Sequence, residues 1–144
     1  MITTADERLL RRAIAVAAHA LTLGDAPYGS LLAGPDDTIL AEAHNTVRRD
    51  GDISAHPELK LARWAARELD AATAAHTTLY TSCQPCTMCA GGIVRSGLGR
   101  VVYALSTEQL VGLNPESGAW PTVEQHGPAL FDEARLPIED HYRT

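Results

Sequence analysis

Lysine is nearly missing from this sequence: Lys60 is the only one in 144 residues, and the net charge is −6 at pH 7. Binding a long nucleic acid draws most of its affinity from neutralised phosphates, and this balance offers little for that. The arginines come in small groups, such as Arg11-Arg12 and Arg48-Arg49, rather than as a stripe or tail. Also missing is any apolar run long enough to span a bilayer. Residues 1–21 form an amphipathic pattern carrying Arg8, Arg11 and Arg12, without the continuous apolar segment of a secretory signal. The expected address is the cytoplasm, with no membrane partner. Repeats, low-complexity tracts and linkers are absent, so residues 1–144 read as one domain. That length buries a single core without disulfides or a metal clip. Cysteine is confined to Cys83, Cys86 and Cys89. Such a cluster in a chain without a secretory signal argues for metal or redox chemistry over a disulfide framework.

Thr4-Ala5-Asp6-Glu7 reads as a capping box. Leu9, Leu10, Ile14, Ala17, Ala18 and Leu21 follow at helical spacing until Gly24, with His19 on the surface or boundary of that helix. Ala26-Pro27-Tyr28-Gly29 leads into a strand at 30–33. Gly34-Pro35-Asp36-Asp37 is a turn signal, and 38–44 reads as the returning strand of a hairpin. His44 on that strand reads as structural. Residues 46–54 are expected to be an irregular loop of the kind that borders a pocket. Helical periodicity resumes from Pro57 through Leu59, Leu61, Ala62, Ala65, Ala66 and Leu69. Proline suits the first helical position, which makes His56 the N-cap and Glu58 a first-turn residue. A strand at 77–81, a helix at 86–95 and a strand at 100–104 follow. Alternating strands and helices imply a layered α/β fold with a parallel portion in its sheet. Beyond Leu105 the expectation is a loop over 112–127 and a short helix over 130–135.

On this scaffold His56 stands at the start of one helix, and Cys86 and Cys89 share a face in the first turn of another. Three nitrogen and sulfur ligands are what a catalytic zinc takes, leaving a fourth position for water. Two thiolates cancel the charge of the metal, and the positive ends of two helix dipoles offset what a bound hydroxide adds. Glu58, in the first turn of a helix opening toward the metal, can take a proton from water and return it to a leaving amine. The chemistry implied is addition of hydroxide to an amidine-like ring carbon, then loss of ammonia.

His56-Pro57-Glu58 together with Pro85-Cys86-Thr87-Met88-Cys89 resembles the H-x-E…P-C-x-x-C signature of the zinc-dependent, cytidine deaminase-like superfamily. Thr81 to Cys89 is similar to the branch containing guanine deaminases, cytosine deaminases and tRNA adenosine deaminases. The resemblance extends to Pro27-Tyr28-Gly29 and Asn45, and covers residues 1–105. It implies an α/β/α sandwich of three layers around a five-stranded mixed sheet, usually dimeric. It further implies zinc on His56, Cys86 and Cys89, Glu58 as proton shuttle, and Asn45 hydrogen-bonded to the substrate ring. One departure stands out. The middle residue of H-x-E is usually alanine or glycine, whose N–H binds the ring, and Pro57 has none.

Each residue also has a plainer role open to it. Cys83 could complete a closed structural zinc site, although Pro85 separates it from the other pair and a closed site leaves Glu58 without a task. Asn45 could be a turn residue. Tyr28 either lines the pocket and contacts substrate or packs in the sheet. Trp64 and Met88 read as core or dimer interface, and Trp120 as a cap over a flat ring or an anchor for its loop. The leading expectation is a zinc-dependent hydrolytic deaminase of a free nucleobase or related heterocycle, such as guanine, cytosine or a triazine-like ring, acting as a homodimer. The alternatives are an adenosine-to-inosine editing deaminase acting on tRNA, and a non-catalytic zinc-stabilised binding module.

Overall fold

The computed structural model describes residues 1–118 and 122–143. In chain order these form α1 (Thr4–Thr22), β1 (Gly29–Ala33), β2 (Ile39–His44), the single turn α2 (Val47–Asp50), α3 (Pro57–Glu68), α4 (Ala71–Ala75), β3 (Thr78–Cys83), α5 (Thr87–Ser96), β4 (Arg100–Leu105), α6 (Thr107–Leu113), a 3-10 turn (Pro115–Gly118) and α7 (Phe131–Tyr142). The strands lie in the order β2-β1-β3-β4, antiparallel except for the β3/β4 pair.

Alternation along a strand sends successive side chains to opposite faces, and β1 is buried on both. Leu31 and Ala33 join Tyr80 and Val102 under Leu9, Leu10 and Ala13 of α1. Leu32 and Leu79 face the other way, against Leu61, Ala62 and Ala65 of α3 and Ile93 of α5. The result is a three-layer α/β/α fold, as expected. Trp64 packs, half-buried, at the edge of the second cluster, whereas Met88 is exposed rather than core. α1 crosses β1 so closely that a Cβ on Gly29 would lie 2.4 Å from the Ala17 nitrogen. No helix among the described residues is long and apolar enough to cross a membrane.

Several expectations need correction. The sheet has four strands among the described residues, where the resemblance implies five, and the chain turns helical directly after β4. There Ser106 Oγ accepts from the Gln109 N–H at 3.1 Å while Gln109 accepts from the Ser106 N–H at 3.0 Å. The expected loop over 112–127 therefore starts inside α6 and includes the 3-10 turn. The expected loop over 46–54 contains α2. The capping box begins one residue early, at Thr3, and pairs with Asp6. Both offsets fit the pattern, and Asp6 wins because its carboxylate also receives the Tyr80 hydroxyl and the Arg100 guanidinium. α7 runs well past Arg135, with Pro137 inside it and every large apolar side chain exposed. Trp120 lies outside the described residues.

Candidate metal centre and active site

Two prolines help set this site. A residue preceding proline is pushed out of the helical region, and His56, before Pro57, is extended at φ −83°, ψ 142°. It caps α3 from outside, and Pro57 enters the first helical position, where no N–H is needed. Cys86, which follows Pro85, caps α5 in the same extended manner. α3 and α5 pack against each other, which brings their N-terminal ends together. Cys89, three residues on, is fully buried beneath them.

His56 Nδ1 lies 3.6 Å from Cys86 Sγ and 3.4 Å from Cys89 Sγ. Zinc bonds of about 2.3 Å to sulfur and 2.0–2.1 Å to nitrogen, at tetrahedral angles, put such atoms about 3.6 Å apart. The donor set and its spacing therefore fit zinc. One donor atom from each of the three residues falls within 4.8 Å of the others, and Cys83 is not in the group. Cys83 is instead a buried thiol in the cavity wall, its pKa pushed up by burial.

The electrostatics agree with a site built for a cation. The Cys86 thiol pKa is lowered, chiefly by the hydrogen bond from Cys89, with burial opposing and His56 adding. The same pairing, with burial, pushes the Cys89 thiol up. Two adjacent thiolates repel, and a dication between them removes the conflict. His56 is raised mainly by its hydrogen bond with Cys86, with burial opposing. Burial raises Glu58, against the opposing pull of its hydrogen bonds and of His56.

Tyr28, Asn45, His56, Pro57, Glu58 and Cys86 all face a cavity of about 450 Å³. Asn45 follows β2, its N–H donating to the Tyr28 carbonyl at 3.0 Å. Its Oδ1 accepts from the Val47 N–H at 3.0 Å. That bond fixes the orientation of the amide and leaves Nδ2 as the group available to a ligand. Lys60 Nζ donates to the His44 carbonyl at 2.9 Å and to Thr46 Oγ1, bracing the chain on both sides of Asn45. His44 Nε2 stands 3.2 Å from buried Asp25, away from the cavity, which suits its structural reading.

Sequence reasoning missed the outer wall, made by Gln84, Thr107, Leu110, Glu116 and Ser117. The Ser106-x-x-Gln109 capping signal would have placed Thr107 and Leu110 on a helix at the end of β4, beside the cysteine stretch. Neither lysine nor arginine lines the cavity among the described residues.

Residues 3–105 match the model of the cytidine and deoxycytidylate deaminase zinc-binding region. A probable cytosine deaminase of Schizosaccharomyces pombe is 35% identical over 137 residues, spanning 93% of this chain and 81% of that protein. A tRNA-specific adenosine deaminase of Haemophilus influenzae is 35% identical over 101 residues, spanning 70% of this chain and 58% of its own length. The solved guanine deaminase of Bacillus subtilis superposes with a TM-score of 0.78 at 26% identity, covering 96% of this chain and 94% of that one. The family match runs from the first helix to the last strand and takes in both helix ends that meet at the metal centre, so this chain belongs to the cytidine and deoxycytidylate deaminase family of zinc enzymes.

Proposed function

We propose that the protein is a hydrolytic deaminase of a free nucleobase or a related amino-substituted heterocycle. The observation that carries this reading is a buried carboxylate beside a three-donor zinc site, in a cavity of about 450 Å³ with neither lysine nor arginine on its walls among the described residues. That volume suits a one- or two-ring base, and a phosphorylated substrate would lack a partner for its phosphate. In the overall reaction a ring carbon exchanges its amino group for oxygen from water, leaving a lactam and ammonia.

His56, Cys86 and Cys89 hold the zinc, which when bound supplies Lewis acidity that activates water at neutral pH. Glu58 accepts a proton from the attacking water and delivers it to the departing amine. Its burial suits that double duty, since a general acid–base works best with a pKa brought toward neutrality. Asn45 Nδ2 donates to an acceptor on the ring, and Tyr28 forms a wall beside it. Pro57 presents no N–H, so the ring edge facing it is one that needs no donor there. A homodimer in the cytoplasm completes the reading.

Relatives that act on tRNA keep a second reading in view, adenosine-to-inosine editing. A single panel separates the two: ammonia release from guanine, cytosine, adenine and diamino-triazines, measured beside inosine formation in tRNA. We expect turnover of one or more free bases and none in tRNA. Inosine formation without release from any free base would overturn the proposal. Glu58→Gln tests whether the site is catalytic at all, because a zinc-stabilised binding module would be indifferent to it.

A further inference from the structure

Two hydroxyl side chains lie buried beneath Glu58 on the face of the sheet that α3 covers. Ser30 of β1 and Thr81 of β3 are direct cross-strand partners, and both are almost completely inaccessible, at 0% and 1%. The next pair on that face, two residues along each strand, is Leu32 with Leu79, an ordinary apolar contact. The switch from apolar to polar side chains in a dry layer therefore needs a reason, since a buried hydroxyl without a partner is costly.

The reason lies in the hydrogen bonds. Ser30 Oγ stands 3.2 Å from Glu58 Oε1 and 2.8 Å from Thr81 Oγ1. Thr81 Oγ1 stands 3.4 Å from the same Glu58 oxygen and 3.1 Å from the Cys83 carbonyl. Each hydroxyl has one proton to donate. When Ser30 donates to Glu58, Thr81 is free to donate to the Cys83 carbonyl. When Ser30 donates to Thr81, Thr81 donates to Glu58. Every arrangement in which this pair serves the buried carboxylate places its donor on Oε1, and neither hydroxyl is bonded to Oε2.

We propose that Ser30 and Thr81 are positioning residues that pin Oε1 of Glu58 and so assign proton exchange to Oε2. This rests on Glu58 being the proton carrier. Neither residue lines the cavity itself, and neither is hydrogen-bonded to His56, Cys86 or Cys89, so the pair acts through the orientation of one carboxylate. The two strands set that orientation through their register rather than through the first turn of α3.

The test compares Thr81→Val, Thr81→Ser and the double variant Ser30→Ala/Thr81→Val on whichever base the panel identifies, with Glu58→Gln alongside. We expect the double variant to lose about ten-fold or more in kcat with KM changed by less than about two-fold. It should still reconstitute with one zinc per chain. Thr81→Ser should recover most of the rate lost in Thr81→Val, because the hydroxyl rather than the volume is what matters. Thr81→Val alone keeps the side-chain volume if the double variant folds poorly. A readout independent of turnover is the thermal midpoint of the zinc-free protein: removing both hydroxyls should lower it more in the wild type than in a Glu58→Met background.

Full kcat in the double variant, Thr81→Ser as impaired as Thr81→Val, or equal thermal shifts in both backgrounds would overturn the positioning role while leaving the proposed function intact. Full activity in Glu58→Gln would overturn Glu58 as the proton carrier, and the positioning role with it, whereas ammonia release from none of the free bases would overturn the proposed function.

Discussion

Asp6 and Arg100, 94 positions apart, meet in two parallel hydrogen bonds of 2.9 and 2.7 Å. The same carboxylate accepts the Tyr80 hydroxyl at 2.8 Å and the Thr3 N–H at 2.9 Å. One buried side chain thus joins the start of α1 to β3 and β4. Arg100 holds the Asp6 carboxyl well below the usual carboxylate range, against the opposing effect of burial. Its folded pKa is therefore depressed relative to about 3.9 in the unfolded chain. The stabilisation is fully present above that unfolded value and is lost as pH falls through and below it. We expect Asp6→Asn to cost about 2 kcal/mol at pH 7, the scale of one charge-assisted hydrogen bond. The variant should also flatten the loss of stability below about pH 4. Urea unfolding from pH 7 down to pH 3 checks both.

The three cysteines should separate cleanly. Cys86→Ser and Cys89→Ser each remove a zinc ligand and should lower metal affinity by orders of magnitude. Cys83→Ser should keep one zinc per chain and most of the activity, since Cys83 stands outside the donor group. Competition for zinc with a chromogenic chelator distinguishes these outcomes. Zinc loss in Cys83→Ser would mean that the site is closed and structural.

Pro57→Ala adds an N–H at the first position of α3, where no intrahelical acceptor exists, inside the cavity wall. Rings carrying an acceptor on that edge should gain about ten-fold in kcat/KM relative to those that do not, the scale of one recovered hydrogen bond. Steady-state kinetics on the base panel reports the ranking. An unchanged order would mean that Pro57 has no part in choosing the ring.

Gly29→Ala should be severe although its backbone is ordinary strand. The added Cβ would stand 2.4 Å from the Ala17 nitrogen and 2.7 Å from the Ala13 carbonyl oxygen, both main-chain atoms of α1. Neither can give way without shifting the helix, so a loss of about 3 kcal/mol or more is expected. Thermal unfolding checks it, and an unchanged midpoint would show that α1 can move off the sheet at little cost.

What could be read from the residues depended on how local the signal was. His56, Glu58, Cys86 and Cys89 were legible because the ligand chemistry and the first turns of two helices act over a few residues. The hairpin was legible from Gly34-Pro35-Asp36-Asp37, and α3 from its periodicity behind Pro57. α4 was not, since five residues carry no period, and only Asp70, whose side chain accepts from the Thr73 N–H at 2.7 Å, marks its start. α6 was overlooked for the same reason. The fifth strand came from resemblance alone, and the described residues form four. Ser30 and Thr81 look like routine strand residues. Only the strand register, set across 51 positions, brings them under Glu58.

Lys60 has a consequence of its own. It is the sole lysine in the sequence, and its ammonium braces the chain on both sides of Asn45. An amine-directed reagent therefore has only this side chain and the terminal amine to modify. Burial lowers the Lys60 pKa, which raises the share of the reactive neutral form, while the two hydrogen bonds hold that nitrogen in place. The acylation rate at this one position is thus a direct gauge of how often the Asn45 segment lets go. A single mass-spectrometric peak, followed with and without a bound base, would read the breathing of the pocket wall.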